Sequence, residues 1–297
     1  MNTKITVAGA TGNLGGRIIA ALRKQGADVR AIVRPGTTAD KLEKLRQNGV
    51  EIVEVDMSSV PDLTRALQGT SCVVSALQGL RDVIVEAQSV LLAAAVAAQV
   101  PRFIPSDYCS DYTKLPVGEN RNFDLRHEFR ERLDAAPIAP TSILNGAFGE
   151  ILTYGTPLLD FKTNTVGYWG RDDFRVDFTT MDDTAAFTAM AALDASTPRV
   201  LRIAGIQISA SELAAVAEVV MKTPFKLVNM GSLKGLSAHN KAERAAHPEG
   251  ENDIYAPWQM TQYNHSMFSV QLEPLDNDRY PDMQWTSVQE VLANVNN

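Results

Sequence analysis

Seven residues near the start of the chain, Gly9-Ala10-Thr11-Gly12-Asn13-Leu14-Gly15, have the types and spacing to seat a diphosphate. In such a run the first glycine permits a tight turn. The second lets backbone approach the phosphates, and the third lets the following helix pack close to the preceding strand. The run follows a short apolar strand pattern at 5–8 and opens a helical pattern at 14–25, so unpaired N–H groups at the helix start face the ligand. Gly9, Thr11, Gly12, Asn13, Leu14 and Gly15 are therefore the candidate contacts to a dinucleotide. The next strand ends Ile32-Val33-Arg34-Pro35, with no carboxylate to bind an adenine ribose 2′-hydroxyl. Arg34 offers a guanidinium to a 2′-phosphate instead, which points to NADP(H) over NAD(H).

These residues need a frame, and the first half of the chain supplies one. Strand patterns at 29–33, 50–55, 72–76, 102–104 and 141–144 alternate with helical patterns at 38–47, 61–67, 82–99 and 124–135. Buried β-branched strands separated by helices predict an α/β fold: a doubly wound parallel sheet of the NAD(P)-binding Rossmann type. Ligands of such sheets bind outside the carboxyl ends of the strands. That address adds Asp56 (or it only opens the next loop), Ala76, Gln78 beside Gly79, Ser106 and Asn145 to the candidates.

The pattern weakens after Gly146. Short strands are expected at 165–169, 176–179, 201–204 and 225–228. Thr180 with Asp183 caps a helix running to Ala192, and Ser209 with Glu212 forms a capping box before a helix at 213–221. A charged stretch at 234–253 holds a further helix, and Thr286 with Gln289 caps a last short one. The expected division is 1–150 for the cofactor and 151–297 for a smaller substrate lobe, partly contributing to the sheet edge and joined without a linker.

Composition narrows the function. The chain has 297 residues, a formal net charge of -7 and 45% hydrophobic residues, with no basic stripe to hold nucleic acid. Its longest apolar stretch, 90–100, is shorter than the roughly 20 residues of a membrane span. No signal-peptide pattern precedes the glycine turn. Two cysteines and four histidines form no metal-binding pattern and no disulfide scaffold, so no metal and a reducing cytoplasm are expected.

Several stretches resemble the isoflavone reductase-like and NmrA-like branch of the atypical short-chain dehydrogenase/reductases. They are Val7 to Gly15, Arg102-Phe103-Ile104-Pro105-Ser106-Asp107-Tyr108, and the strand at 138–148 that ends Asn145-Gly146-Ala147-Phe148. Val176-Asp177-Phe178-Thr179 with Asp182-Asp183 is similar more loosely. The resemblance implies a Rossmann fold, NADPH and reduction of aromatic substrates. It equally implies an NADP-sensing regulator without catalysis. The lysine of the family's reductases falls on Arg126 here, and the tyrosine of the ordinary Tyr-x-x-x-Lys pair falls on Asn122.

Arg126 can hold a ribose or stabilise negative charge on a substrate oxygen, but a guanidinium does not readily release a proton. The candidate proton donors are His127, whose imidazole type exchanges protons near neutrality, and Tyr108, with Lys114 in the same loop. Cys109, with no paired base, reads as a packed thiol. Phe148, Tyr154, Tyr168, Trp169, Trp258, Tyr263, Met267 and Phe268 are candidates for an apolar substrate wall. The stretch from Trp258 to Phe268 reads as an irregular cover. The sequence does not distinguish a monomer from a homodimer or a complex with a protein partner.

Overall fold

The computed structural model describes residues 3–293 and 295. In chain order the first elements are β1 (Lys4–Ala8), α1 (Asn13–Lys24), β2 (Asp28–Val33), α2 (Ala39–Gln47), β3 (Glu51–Glu54), α3 (Val60–Ala66) and β4 (Cys72–Ser75). A π-helical turn (Asp82–Ala87) then runs into α4 (Gln88–Ala97), followed by β5 (Arg102–Ile104), α5 (Arg121–Asp134) and β6 (Ala139–Pro140). The later elements are β7 (Ser142–Leu144), β8 (Ala147–Phe148), β9 (Thr165–Tyr168), β10 (Val176–Thr179), α6 (Met181–Leu193), β11 (Val200–Arg202) and β12 (Ile206–Ile208). The last are α7 (Ala210–Met221), β13 (Lys226–Asn229), α8 (Leu233–Ala246), α9 (Pro257–Ser269) and α10 (Val288–Ala293).

The chain divides into two units that share it in alternation. The first comprises 1–108, 125–143 and 184–201; the second comprises 109–124, 144–183 and 202–297. The first unit carries a six-stranded sheet in the order β3-β2-β1-β4-β5-β6, and every neighbouring pair in it is parallel. This is the strand order of a Rossmann sheet, the fold type expected. Its core joins Ala8, Ile32, Val73 and Phe103 of the strands to Leu63, Leu91 and Phe129 of the helices, with Phe103 and Phe129 ring centroids 6.3 Å apart. Arg102 is buried for a stated reason. Its guanidinium donates to the Ala191 and Ala192 carbonyls at 2.8 and 3.0 Å and to Thr197 Oγ1 at 2.6 Å, closing the carbonyl end of α6.

The expected sixth strand splits in two. Ala139 and Pro140 pair with β5, Ala139 N donating to Pro101 O at 3.0 Å, and the N–H that Pro140 lacks falls on the strand's other edge. Thr141 N still donates to Phe103 O at 3.0 Å, after which Ser142 N turns to Arg199 O and β7 pairs with β11 instead.

The second unit has its own core, with Phe178, Ile206, Ile208, Leu213 and Phe268 among its buried members. It holds a three-stranded sheet, β12-β10-β8, and the parallel pair β13-β9. The Ser209–Glu212 capping box forms reciprocally, and Asp183 N is capped by Thr180 Oγ1 at 3.1 Å. Two expectations fail here. The last helix is capped one residue later, by Ser287 with Glu290, because Thr286 N and Oγ1 are spent on the Asp183 carboxylate. The stretch from Trp258 to Phe268 is not irregular but belongs to α9, which starts on Pro257 and buries Trp258, Met267 and Phe268.

Asp177 of β10 ties this unit together. Its carboxylate accepts from Gln207 Nε2 at 2.8 Å and from Leu272 N at 2.6 Å. Burial raises its pKa from 3.8 to about 6, against the opposing pull of those bonds and of Lys114. A raised folded pKa means stability that is fully present below the unfolded value and is lost as pH rises through the folded one. The unfolding free energy is therefore expected to fall between about pH 4 and pH 6, by roughly 3 kcal/mol at most. Denaturant titrations across that window should show this slope in the natural chain and not in Asp177→Asn; the same slope in both would assign it elsewhere.

Candidate functional site

The glycine run sits between β1 and α1, as its spacing requires. Gly9 has φ +80°, and a Cβ there would lie 2.4 Å from Ala76 O, across the neighbouring strand end. A Cβ on Gly15 would lie 2.2 Å from Gly9 O. Contacts this short exclude any side chain, so the backbones of β1, β4 and α1 meet only through glycine. Ala76 N donates to Ala8 O at 2.9 Å and fixes the same corner.

Gly12 N donates to Gly9 O at 2.9 Å, closing the turn, and no side chain caps the helix it starts. No acidic residue stands in the first turn of α1. Thr11, Gly12 and Asn13 are exposed, Leu14 is half-buried, and Asn13 is drawn aside by Arg17 Nε at 2.9 Å. A bare, uncapped, carboxylate-free helix start is a fitting seat for a diphosphate.

Arg34 is exposed at the end of β2, in a turn held by Thr37 N and Oγ1 on its carbonyl at 3.2 and 2.7 Å. Asp56 is exposed too, and its Oδ1 accepts from Ser58 N and Oγ at 2.9 and 2.8 Å, which holds its pKa down. That carboxylate shapes the start of its loop. An open cavity of about 400 Å³ adjoins it, lined by Glu51, Glu54, Asp56 and Asp62 with only Arg30 and Arg65. Carboxylates outnumber guanidiniums there, which disfavours a phosphate in the cavity. Among the described residues, no group of three or more His, Cys, Asp or Glu is placed to hold a metal.

At the carboxyl edge of β5, Ser106 is the meeting point. Its Oγ donates to Leu77 O at 2.7 Å, its N–H donates to Gln88 Oε1 at 3.0 Å, and its carbonyl accepts from Arg126 Nε at 3.2 Å. Ser106 and Arg126 are thus brought together, next to the loop that carries exposed Gln78. Gln88 was not anticipated. Its signal was a lone amide within the apolar run of α4, where it is fully buried.

Arg126 and His127 are half-buried on α5. Glu128, two residues on, accepts from Arg81 and Arg132. Tyr108 is placed differently from the expectation. Its hydroxyl is buried toward the Thr188 side chain, and burial raises its pKa, so as placed it offers no surface to a ligand. Cys109 is buried and outside any disulfide, a packed thiol as expected.

In the second unit, Asn145 N donates to Cys109 O at 3.0 Å and its carbonyl accepts from Thr179 Oγ1 at 2.8 Å. Gly146 follows at φ +68°, where a Cβ would lie 2.3 Å from Asp177 O. Asn122 Nδ2 donates to Tyr263 Oη of α9 at 2.8 Å. Of the expected apolar wall, Trp169, Trp258, Met267 and Phe268 are core, with Trp169 and Phe268 edge to face at 5.6 Å. Phe148, Tyr168 and Tyr263 are half-buried and Tyr154 is exposed.

The glycine contacts make a sharp contrast. Gly15→Ala is expected to cost about 1–3 kcal/mol, because a methyl must displace backbone. Gly16→Ala, whose Cβ would meet only Ala10 O at 3.8 Å, is expected to gain about 0.5–1 kcal/mol from helix propensity. Thermal melts of the two variants give the ordering, and equal effects would mean that the turn relaxes.

The model of the NmrA-like family matches residues 1–230. Pinoresinol reductase 2 of Arabidopsis thaliana is 31% identical over 204 residues, a stretch spanning 63% of this chain and 63% of that protein. Isoflavone reductase homolog P3 of the same plant is 25% identical over 313 aligned residues, covering 98% of this chain and 97% of its own. A solved structure described as AtPrR2 with NADP+ and (+)pinoresinol superposes with a TM-score of 0.81 at 24% identity, covering 99% of both chains. The glycine-lined corner, the strand order and a family match over more than two thirds of the sequence agree: the chain belongs to the NmrA-like family.

Proposed function

We propose that this protein is an NADPH-dependent reductase of a small aromatic or carbonyl- or enone-type substrate. The observation that carries the reading is the glycine-lined corner of Gly9, Gly15 and Ala76. The family membership and the reductases among its relatives support it. They do not favour a sensor without catalysis.

In this reading the first unit holds the coenzyme. Gly12, Asn13 and the bare start of α1 take the diphosphate, Thr11 and Leu14 flank it, and Arg34 neutralises the 2′-phosphate. Ala76, Gln78 and Asp56 border the adenosine and central parts, and Ser106 the nicotinamide part. The bound coenzyme supplies a hydride. The protein's own work is to position and to manage charge. Arg126, permanently cationic and fixed by Ser106, stabilises negative charge on a substrate oxygen. His127 is the proton donor assigned from the first unit, since the Tyr108 hydroxyl is buried. The second unit, with Phe148, Tyr154, Tyr168 and Tyr263 not fully buried, is assigned to substrate selection.

The coenzyme choice is tested at one position. Arg34→Asp should weaken NADPH binding by at least about tenfold in calorimetry while leaving NADH nearly unchanged. Equal losses for both coenzymes would remove the basis for NADPH. Turnover is tested separately, by NADPH oxidation with a panel of aromatic alcohols, enones and quinones. Tight NADPH binding without any turnover across that panel would favour the sensor.

A further inference from the structure

The helix that follows β4 changes winding at a single residue. Residues Asp82–Ala87 form a π-helical turn, and Gln88 begins α4 with its backbone N–H reaching back five residues to Val83 O. A π turn takes N–H groups off the carbonyls four residues back. Two side chains make up the loss, Gln88 Nε2 donating to Ile84 O at 2.7 Å and Ser89 Oγ to Val85 O at 2.6 Å.

Gln88 does more than repair its own helix. Its Oε1 accepts the Ser106 N–H at 3.0 Å, so one fully buried amide joins the π turn to the loop after β5. Ser106 O in turn accepts from Arg126 Nε, and Ser106 Oγ holds Leu77 O. The same π turn is clamped to α5, the helix of Arg126, by Arg132 on Glu86 at 3.2 Å and by Arg81 on Glu128. Burying a primary amide is costly unless both its ends are paired, and leucine would fill similar space at lower desolvation cost. What leucine lacks is the acceptor that fixes the Ser106 peptide.

We propose that Gln88 is a positioning residue: through Ser106 it sets the place of the Arg126 guanidinium. The step from Arg126 to coenzyme rests on the reductase reading above; the step from Gln88 to Arg126 does not.

The experiment separates the two steps. In the coenzyme-free protein, the Nε–H resonance of Arg126 is assigned by its loss in Arg126→Lys. It should shift or broaden in Gln88→Leu, and move less in Ser89→Ala, which loses the other repair of the turn and a contact from Arg132 but leaves the Ser106 N–H its acceptor. Gln88→Met serves if Gln88→Leu does not fold. An unmoved resonance in the folded Gln88 variant overturns the proposal, whatever the coenzyme does. Calorimetry with NADPH follows on the natural chain, Gln88→Leu, Arg126→Met and the double variant. Each single change should weaken binding about tenfold and the double no more than Arg126→Met alone. Losses that multiply would make Gln88 a structural residue acting independently of Arg126 and overturn the proposal. A moved resonance with no NADPH heat from the natural chain would support the positioning role and sink the coenzyme reading instead.

Discussion

Gly15 packs onto Gly9 with room for a hydrogen and nothing more, and Gly9 packs onto Ala76 in the same way. These two approaches weld the ends of β1 and β4 to the start of α1. A larger residue at either glycine would push the helix off the sheet. The uncapped N–H groups of α1 would then no longer sit at the carboxyl edge of the strands. Binding geometry and packing geometry are here the same constraint, which is why a short sequence signal says so much about both.

Much of the first unit was legible for that reason. Each strand announces itself by a β-branched run and each crossover by helical spacing, and parallel order follows from the alternation. What escaped were places where a single backbone group decides. The sixth strand leaves β5 after Thr141, where Ser142 N takes Arg199 O instead, although the residues that follow keep a strand's composition. Thr286 looks like a cap until Asp183, about a hundred residues earlier in the chain, takes both its donors. The stretch around Trp258 hides its helix because four polar side chains of α9, Gln259, Gln262, His265 and Ser266, occupy positions that periodicity assigns to solvent. They are buried instead, and their partners come from another element.

That element is the segment at 119–123. Asn120 accepts from Gln259 Nε2 at 3.0 Å and donates to Ser266 Oγ at 3.0 Å, while Arg121 N donates to Gln262 Oε1 at 3.0 Å. Arg121 also reaches the Gly250 and Asp253 carbonyls at 2.9 Å and stacks 4.7 Å from the centre of Trp258. Burial lowers its pKa, a direction that neighbouring carboxylates oppose. A seam of this kind stabilises little compared with apolar packing of the same volume, since each polar group first loses its water. It does exclude alternatives: sliding α9 by one residue would strand several buried amides at once.

The same logic explains why the candidate site was only half visible. Residues proposed to meet a ligand through backbone, such as Gly9 and Gly12, leave a mark in the sequence because glycine has few other uses at that spacing. Residues that act through a side chain depend on where that side chain ends, and this is set by contacts far along the chain. Tyr108 and Ser106 stand two apart in one motif, yet the first turns its hydroxyl into the interior toward Thr188 and the second links three elements at the strand ends. Gln88 lies 18 residues before Ser106 and 38 before Arg126, in a helix whose composition otherwise records only burial. A polar residue in such a run is the one legible trace of this arrangement. Its cost in desolvation is the reason to ask what it holds.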